Sequence, residues 1–474
     1  VTPEGHVHPT QDDGVVAALS EGVGGPVGQH AGPARWWTPV RVILLMAAVT
    51  CALGLLQKAP CISGEPSGQN YRYSHMCYSD LPPLYTLRGL VEHEWPFSDD
   101  EQVRARYEVM EYPVGIAYWA WGASWLTHVL NGSPDLDRRY QQQVSEVAAR
   151  DDVRREVEIF TWVNAVGFAA IALLSAWLLS QVNPRRPWDA AIFALSPMLA
   201  LTLLINWDLL AVGFVAGALW AWSRDRPVLT GVLIGLGTAT KLYPLFLLGG
   251  ILIICLRRRR YADLAQAVVW AVAAWLVANA PAYLTGKEQW QVFWSFNADR
   301  GPDLGSIWSV IAQAGDVAIT HETVNLWSWI VFGTWCLGVM ILGLRAPETP
   351  RLAQLGFLIV TGFLLVNKVY SPQYVLWLLP LAALARPRWR DQIIWQAGEL
   401  LYFATIWWYL GGYLNPSSGS DAGFYWMAIV LRMLAELYLV GMVVRDILRP
   451  ALDPVRQTAQ PITLSPLLLH GRTS

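Results

Sequence analysis

Apolar residues fall in long blocks separated by short polar connections. Each block is sized for a helix that crosses a bilayer, which takes roughly 20 residues, or fewer where the helix is broken. The blocks run Val40 to Leu56, Ile159 to Leu179, Trp188 to Leu204, Trp207 to Trp222, Val228 to Ala239 and Leu242 to Leu256. They continue as Leu264 to Leu284, Val324 to Leu344, Leu352 to Val366, Tyr374 to Ala385, Ile393 to Leu414 and Phe424 to Val444. By length this predicts an all-α polytopic membrane protein with about twelve spans.

One further stretch, "YPVGIAYWAWGASWLTHVL" from Tyr112 to Leu130, is ambiguous by apolarity alone. Basic clusters mark the cytoplasmic side, and here they sit at Arg185, Arg224, Arg257 to Arg260, Arg345 with Arg351, Arg386 and Arg445. From Arg185 onward every second connection is basic, which fixes the phase. With the Arg35 and Arg41 end inside, the number of crossings between the first two blocks must be even, so Tyr112 to Leu130 alone cannot span. It is expected to be an amphipathic helix lying on the outer surface. Residues 57–158 then form one extracytoplasmic loop with interfacial helices, inside a transmembrane domain of residues 35–448. Residues 1–34, rich in Gly, Pro and His, and residues 449–474 are expected to be disordered cytoplasmic tails.

Composition sharpens this. Hydrophobic residues make up 54% of the 474 and charged ones 15%, so each charge inside a block needs a reason. The net charge of -2 gives no argument for a nucleic-acid partner. Five cysteines lack any C-x-x-C spacing, so neither a zinc nor a redox centre is expected. Cys51, Cys255 and Cys336 read as core filler. Cys61 and Cys77 share the first loop and either pair or stay free. His6 and His8 read as part of a solvated tail rather than a metal pair.

The polar residues of the outer turns are few. "INWD" holds Asn206 and Asp208, "TATKLYP" holds Lys241, "FNADRGPDLGS" holds Asp299, Arg300 and Asp303, and "NKVYSPQY" holds Lys368, Ser371 and Gln373. The blocks flanking Lys241 rise only about 18 to 22 Å, which puts their turn below the outer surface. A lysine at that depth is expensive and is paired or functional. One reading is a buried Lys241–Asp208 ion pair that locks two hairpins. The other is that Lys241, Arg300 and Lys368 line a cavity for a phosphate. Arg432 and Glu436, four residues apart in the last block, read as a structural pair. Glu399 is expected to be satisfied within the bundle, and Gly231-x-x-x-Gly235 to mark close helix packing.

The segments "CYSDLPPLY", "EYPVG", "INWDLLAV", "GLGTATKLYPLFLL", "FNADRG" and "NKVYSPQYVLWLLPL" together resemble the actinobacterial membrane glycosyltransferases of family 87, which have the GT-C fold. The likeness runs from about Arg35 to about Arg456. It implies transfer of a sugar, mannose first and arabinofuranose second, from a polyprenyl-phosphate carrier to a glycolipid or polysaccharide acceptor on the outer face of the plasma membrane. It also implies that an acid in the first outer loop is the base, and the matching position is Asp80. Lys241, Arg300 and Lys368 would hold the donor phosphate, and Asn206, Asp208, Ser371 and Gln373 would contact sugar or acceptor. Arg88 would orient an acid or the phosphate, and Glu111 would be a second acid or pair with Arg88. No cofactor or metal is chemically required, since the donor carries a single phosphate.

Many such enzymes present two adjacent acids, whereas Asp80 has no acidic neighbour; Glu65, Glu92, Glu94 and Glu111 are the nearest. Asp80 has a competing reading as the N-cap of the proline-led helix after it. A transporter or flippase of polyprenyl-linked glycans, or an inactive cell-wall scaffold, is the alternative function. Flippases commonly repeat a half with polar groups near the midplane, whereas here no half repeats.

Overall fold

The computed structural model describes residues 13–23, 36–62, 71–414 and 421–457, and among them every regular element is helical. Helix α1 (Gly14–Val23) precedes α2 (Pro39–Ile62), and the large first loop carries α3 (Leu81–Leu87) and α4 (Val114–Leu130). The bundle continues with α5 (Asp151–Val182), α6 (Leu209–Ser223), α7 (Pro227–Thr240), α8 (Leu247–Arg258) and α9 (Tyr261–Thr285). It closes with α10 (Lys287–Asp299), α11 (His321–Arg345), α12 (Leu352–Val366), α13 (Val375–Ala385), α14 (Trp389–Leu410) and α15 (Gly423–Leu448).

Among the described residues five helices, α2, α5, α9, α11 and α15, are long and apolar enough to cross a membrane. At the other seven positions expected to span, the chain is helical but short, interrupted or more polar. The stretch Trp188 to Leu204 breaks into three pieces, because Ser196 turns its side chain onto the amides of Met198 and Leu199 and starts a new helix at Pro197. Helix α8 is preceded by a 3-10 turn at Tyr243–Phe246. Helices α6, α7 and α12 have 15, 14 and 15 residues, a rise of roughly 21 to 23 Å against a hydrocarbon core of about 30 Å. Helix α14 is long, with 22 residues, but carries polar groups that are satisfied inside: Gln396 accepts from Ser196 at 2.7 Å and Gln392 donates to the Ala382 carbonyl at 3.0 Å.

The short helices carry arginine at one end and polar site residues at the other. Helix α6 is flanked by Asp208 and Arg224, and α7 by Arg226 and Lys241. The arginine ends are tied together: Arg351 pairs with Asp453 at 3.0 Å, Arg386 with Asp446 at 2.7 Å, and Arg257 donates to the Gly343 carbonyl at 2.8 Å. Cations on the final carbonyls of a helix complement its dipole. Helices α7 and α9 approach until a Cβ on Gly231 or Gly235 would lie 2.3 or 2.2 Å from the carbonyl oxygens of Ala267 and Ala271, so only glycine permits this contact.

Helix α4 docks on the bundle. Its Gly115 abuts Thr240, Trp119 donates to Asn164 of α5 at 3.0 Å, and Tyr118 donates to the Ala278 carbonyl of α9 at 3.0 Å. Ile116, Ala120 and Thr127 are buried while Trp125, Val129 and Leu130 are exposed, the two-faced pattern of an amphipathic helix. Arg139 fixes the rest of the loop to α5 through Glu156 at 2.7 Å.

The tails differ from expectation where they are described. Helix α1 forms inside residues 1–34, and Asp13 just before it accepts from the Trp389 amide at 2.9 Å. Residues Pro454–Gln457 are helical too, next to the Asp453 that Arg351 holds. Local capping and ion pairing outweigh the low apolar content of these segments. His6, His8 and Glu65 lie outside the described residues.

Candidate functional site

Asp80 occupies the N-cap position of α3, where two prolines lead the helix, yet its side chain makes no capping bond. Instead the Tyr112 hydroxyl donates to its Oδ2 at 2.8 Å, and the Tyr78 side chain also reaches it. The backbone is clamped to the broken segment before α6: the Asp80 amide donates to the Ile205 carbonyl at 2.7 Å and the Ser79 hydroxyl to that of Leu204 at 2.7 Å. The Cys61–Cys77 disulfide closes the loop just before it. From below, the buried Lys58 ammonium donates to the Tyr78 carbonyl at 3.0 Å. Burial pushes the Asp80 carboxyl above its ordinary pKa, against the opposing hydrogen bonds from Tyr78 and Tyr112 and the charge of Lys241. A raised carboxyl is a stronger base once ionised.

Asp80 lines a cavity of about 690 Å³ whose walls also carry Glu111, Asn206, Lys241, Arg300, Lys368, Ser371 and Gln373. Lys241 donates to Asp208 at 2.6 Å, and Trp377 donates to the other oxygen of that carboxylate at 2.9 Å. Asp208 is fully buried behind the wall and is not part of it. An ammonium has three donors, so the ion pair leaves capacity on the cavity side. The Tyr112, Tyr374 and Trp377 rings lie 5.4, 5.6 and 5.7 Å from the Lys241 nitrogen, a cation–π cage.

Arg300 is held by Asp303 at 2.6 Å, and Lys368 donates to Asn325 at 2.7 Å and to the Ala298 carbonyl at 3.2 Å. The Asp303 amide donates to the Lys368 carbonyl at 2.8 Å, so the two cations come from segments stitched to each other. Burial, and then the neighbouring Arg300 charge, pull Lys368 below its ordinary pKa. An anion between them would relieve both.

Under this stitched loop lies the network of Arg432 and its partners. Arg432 pairs with Glu436 at 2.8 Å, and Glu399 accepts from Tyr370 at 3.0 Å and Trp395 at 3.1 Å. Tyr370 donates its amide to the Leu304 carbonyl at 2.8 Å, and the Tyr425 hydroxyl accepts from the Gly305 amide at 2.9 Å. Gly305 has φ +71, and a Cβ there would meet the Tyr402 hydroxyl at 2.0 Å. Gly305→Ala is therefore expected to destabilise the protein by about 1–3 kcal/mol, measured as a lower thermal unfolding midpoint in micelles. An unchanged midpoint would mean that the loop relaxes without strain.

Of the residues singled out from sequence, seven besides Asp80 meet in the one cavity and two stand behind it. Asp208 holds Lys241. Arg88 lies outside the lining and grips Glu111 through two hydrogen bonds of 3.0 and 3.1 Å, with Glu108 at 3.2 Å. Glu92 is taken by Arg106 at 2.8 Å and is not in the cavity wall. Sequence reasoning passed over Tyr112, Tyr78, Asn325, Trp377 and Lys58. Only Tyr112 carried a signal, its place beside Glu111 and before Pro113. The aromatic residues are indistinguishable in sequence from the many that fill the helices.

Residues 156–367 match the model of glycosyltransferase family 87. The match runs from within α5 to the turn after α12 and takes in Lys241, Arg300 and the Asn206–Asp208 turn, and it supports glycosyl transfer as the chemistry. Asp80, Lys368 and Gln373 lie outside it. No curated protein matches the chain.

Proposed function

We propose that this protein is an inverting glycosyltransferase that moves a sugar from a polyprenyl-phosphate donor to a cell-envelope glycolipid or polysaccharide acceptor on the outer face of the plasma membrane. The observation that carries this reading is a cavity in which the Asp80 carboxylate, with Glu111, shares the walls with three cations, Lys241, Arg300 and Lys368. The basic ends of the helices, collected away from that cavity, support a cytoplasmic opposite face.

In the proposed reaction the Asp80 carboxylate accepts the proton of an acceptor hydroxyl as that oxygen bonds to the anomeric carbon. The bond from that carbon to the phosphate oxygen breaks on the opposite face, inverting the centre. The electron pair leaves on the polyprenyl phosphate, whose charge Lys241, Arg300 and Lys368 stabilise. Asn206, Ser371, Gln373 and Glu111, which line the cavity, would contact sugar or acceptor hydroxyls, with Arg88 orienting Glu111. A single-phosphate leaving group bound by three cations needs no metal. Mannose is the first candidate sugar and arabinofuranose the second.

The test is transfer of radiolabel from polyprenyl-phosphate-mannose, and in parallel from polyprenyl-phosphate-arabinofuranose, to total membrane acceptors by the purified protein. Transfer from one donor and not the other identifies the sugar. Failure of both, with folded protein and acceptors present, would overturn this donor class.

A further inference from the structure

We propose that Tyr73, Tyr78 and Trp407 form the acceptor subsite and that it takes a sugar ring by stacking. The inference rests on the glycosyltransferase reading and names what that reading leaves open, the chemistry of the acceptor at the point of attack.

The three rings line the cavity and come from two distant parts of the chain, the first loop and α14. Tyr73 lies 5.9 Å from Tyr78 and 6.2 Å from Trp407, with interplanar angles of 15° and 20°, and Tyr78 lies 5.5 Å from Trp407. They form one aromatic wall, backed by cations: Arg72 lies 5.1 Å from the Tyr73 ring and Lys58 lies 5.9 Å from the Trp407 ring.

The position of Asp80 gives the wall its role. On one side Asp80 meets Tyr78, which belongs to the wall. On the other it accepts from Tyr112, whose ring lies 5.4 Å from the Lys241 nitrogen. The base thus stands between the aromatic wall and Lys241, one of the three cations. Displacement with inversion requires the attacking oxygen and the leaving phosphate on opposite faces of the sugar. With the phosphate on the cations, the acceptor hydroxyl must arrive from the aromatic side.

The chemistry of the wall fits a carbohydrate rather than a bare hydrocarbon tail. Aromatic faces carry partial negative charge, which suits the C–H face of a sugar ring. Two residues in the lining also keep a buried polar atom without a hydrogen-bond partner: the Trp407 indole N–H, a donor, and the Gln373 Oε1, an acceptor. Buried polar groups are rarely left unpaired. Sugar hydroxyls can pair with groups of both kinds, whereas an alkyl chain can pair with neither.

The test uses octyl α-mannopyranoside as probe and tetraethylene glycol monooctyl ether, which has the same tail and no sugar, as control. Both are applied to the full chain in nanodiscs, with saturation-transfer NMR as the readout. Saturation on the sugar-ring protons is expected, with affinity falling roughly tenfold or more in Trp407→Ala, as when a buried aromatic anchor is truncated, and recovering in part in Trp407→Phe, which restores the ring but not the indole N–H. Tyr73→Ala, at a partly exposed position, should weaken the probe in the same way if Trp407→Ala does not fold. Binding of polyprenyl phosphate should be unchanged in each variant. Equal binding of glycoside and ether, or glycoside binding indifferent to both substitutions, would overturn the subsite while leaving the transferase reading intact. Wild-type protein that binds the glycoside through the wall but not polyprenyl phosphate would overturn the donor reading and leave the wall a sugar site.

Discussion

Replacing Asp80 by asparagine is expected to lower sugar transfer by about 10²–10⁴-fold, the range a positioned proton acceptor contributes, while polyprenyl phosphate still binds. Asparagine has nearly the same shape and can still accept from Tyr112, so the loop clamped to Leu204 and Ile205 stays in place. What is lost is the ability to take a proton. The wild-type rate carries a second signature. In the proposed reaction transfer needs the ionised carboxylate, so it should fall as pH drops through the Asp80 pKa. Burial has moved that pKa up, so the acid limb should lie above the ordinary aspartate value of about 3.9. Tyr112→Phe removes a hydrogen bond that favours the ionised form, and should move the limb to still higher pH. Transfer that survives Asp80→Asn would assign the base elsewhere, with Glu111 the first candidate because it shares the cavity.

The second large effect is at Asp208 and Lys241. Asp208→Ala is expected to cost about 3–5 kcal/mol, the price of leaving one partner of a buried ion pair uncompensated, read as a fall in the unfolding midpoint in micelles. Asp208 is fully buried and also accepts from Trp377, so no water replaces what it provides. Lys241→Met should reduce transfer by about 10²–10³-fold, as expected for a lost charge-stabilising donor. The double variant Lys241→Met with Asp208→Leu separates the two roles, because replacing a buried pair by apolar residues of similar size is often neutral for stability. It should regain the midpoint and remain inactive. Recovery of activity along with stability would reduce the pair to a lock between α6 and α7.

The sequence by itself determined the helical class and the positions of nearly all the helices, because apolar blocks are local and each must satisfy its own backbone in lipid. It also narrowed the partners of the few charges. A lysine at membrane depth has little choice, and Asp208 was the acid in the neighbouring short turn. Arg432 and Glu436, one helical turn apart, were equally constrained. The loop cysteines had each other, and the disulfide is present.

Tertiary structure decided the rest. Whether a block forms one continuous helix depends on side chains such as Ser196, whose hydroxyl can cap an amide or serve the helix, and apolarity does not register that choice. Among the described residues five helices are long and apolar enough to cross, where block length gave about twelve. The meeting of Asp80, Lys241, Arg300 and Lys368 in one cavity depends on how short helices stack and on contacts as specific as Gly231 against the Ala267 carbonyl. The Tyr73, Tyr78 and Trp407 wall joins residues more than three hundred positions apart. Periodicity along a chain carries the fold of each segment, but the distance between segments is set by packing, and the chemistry of this site lies between segments.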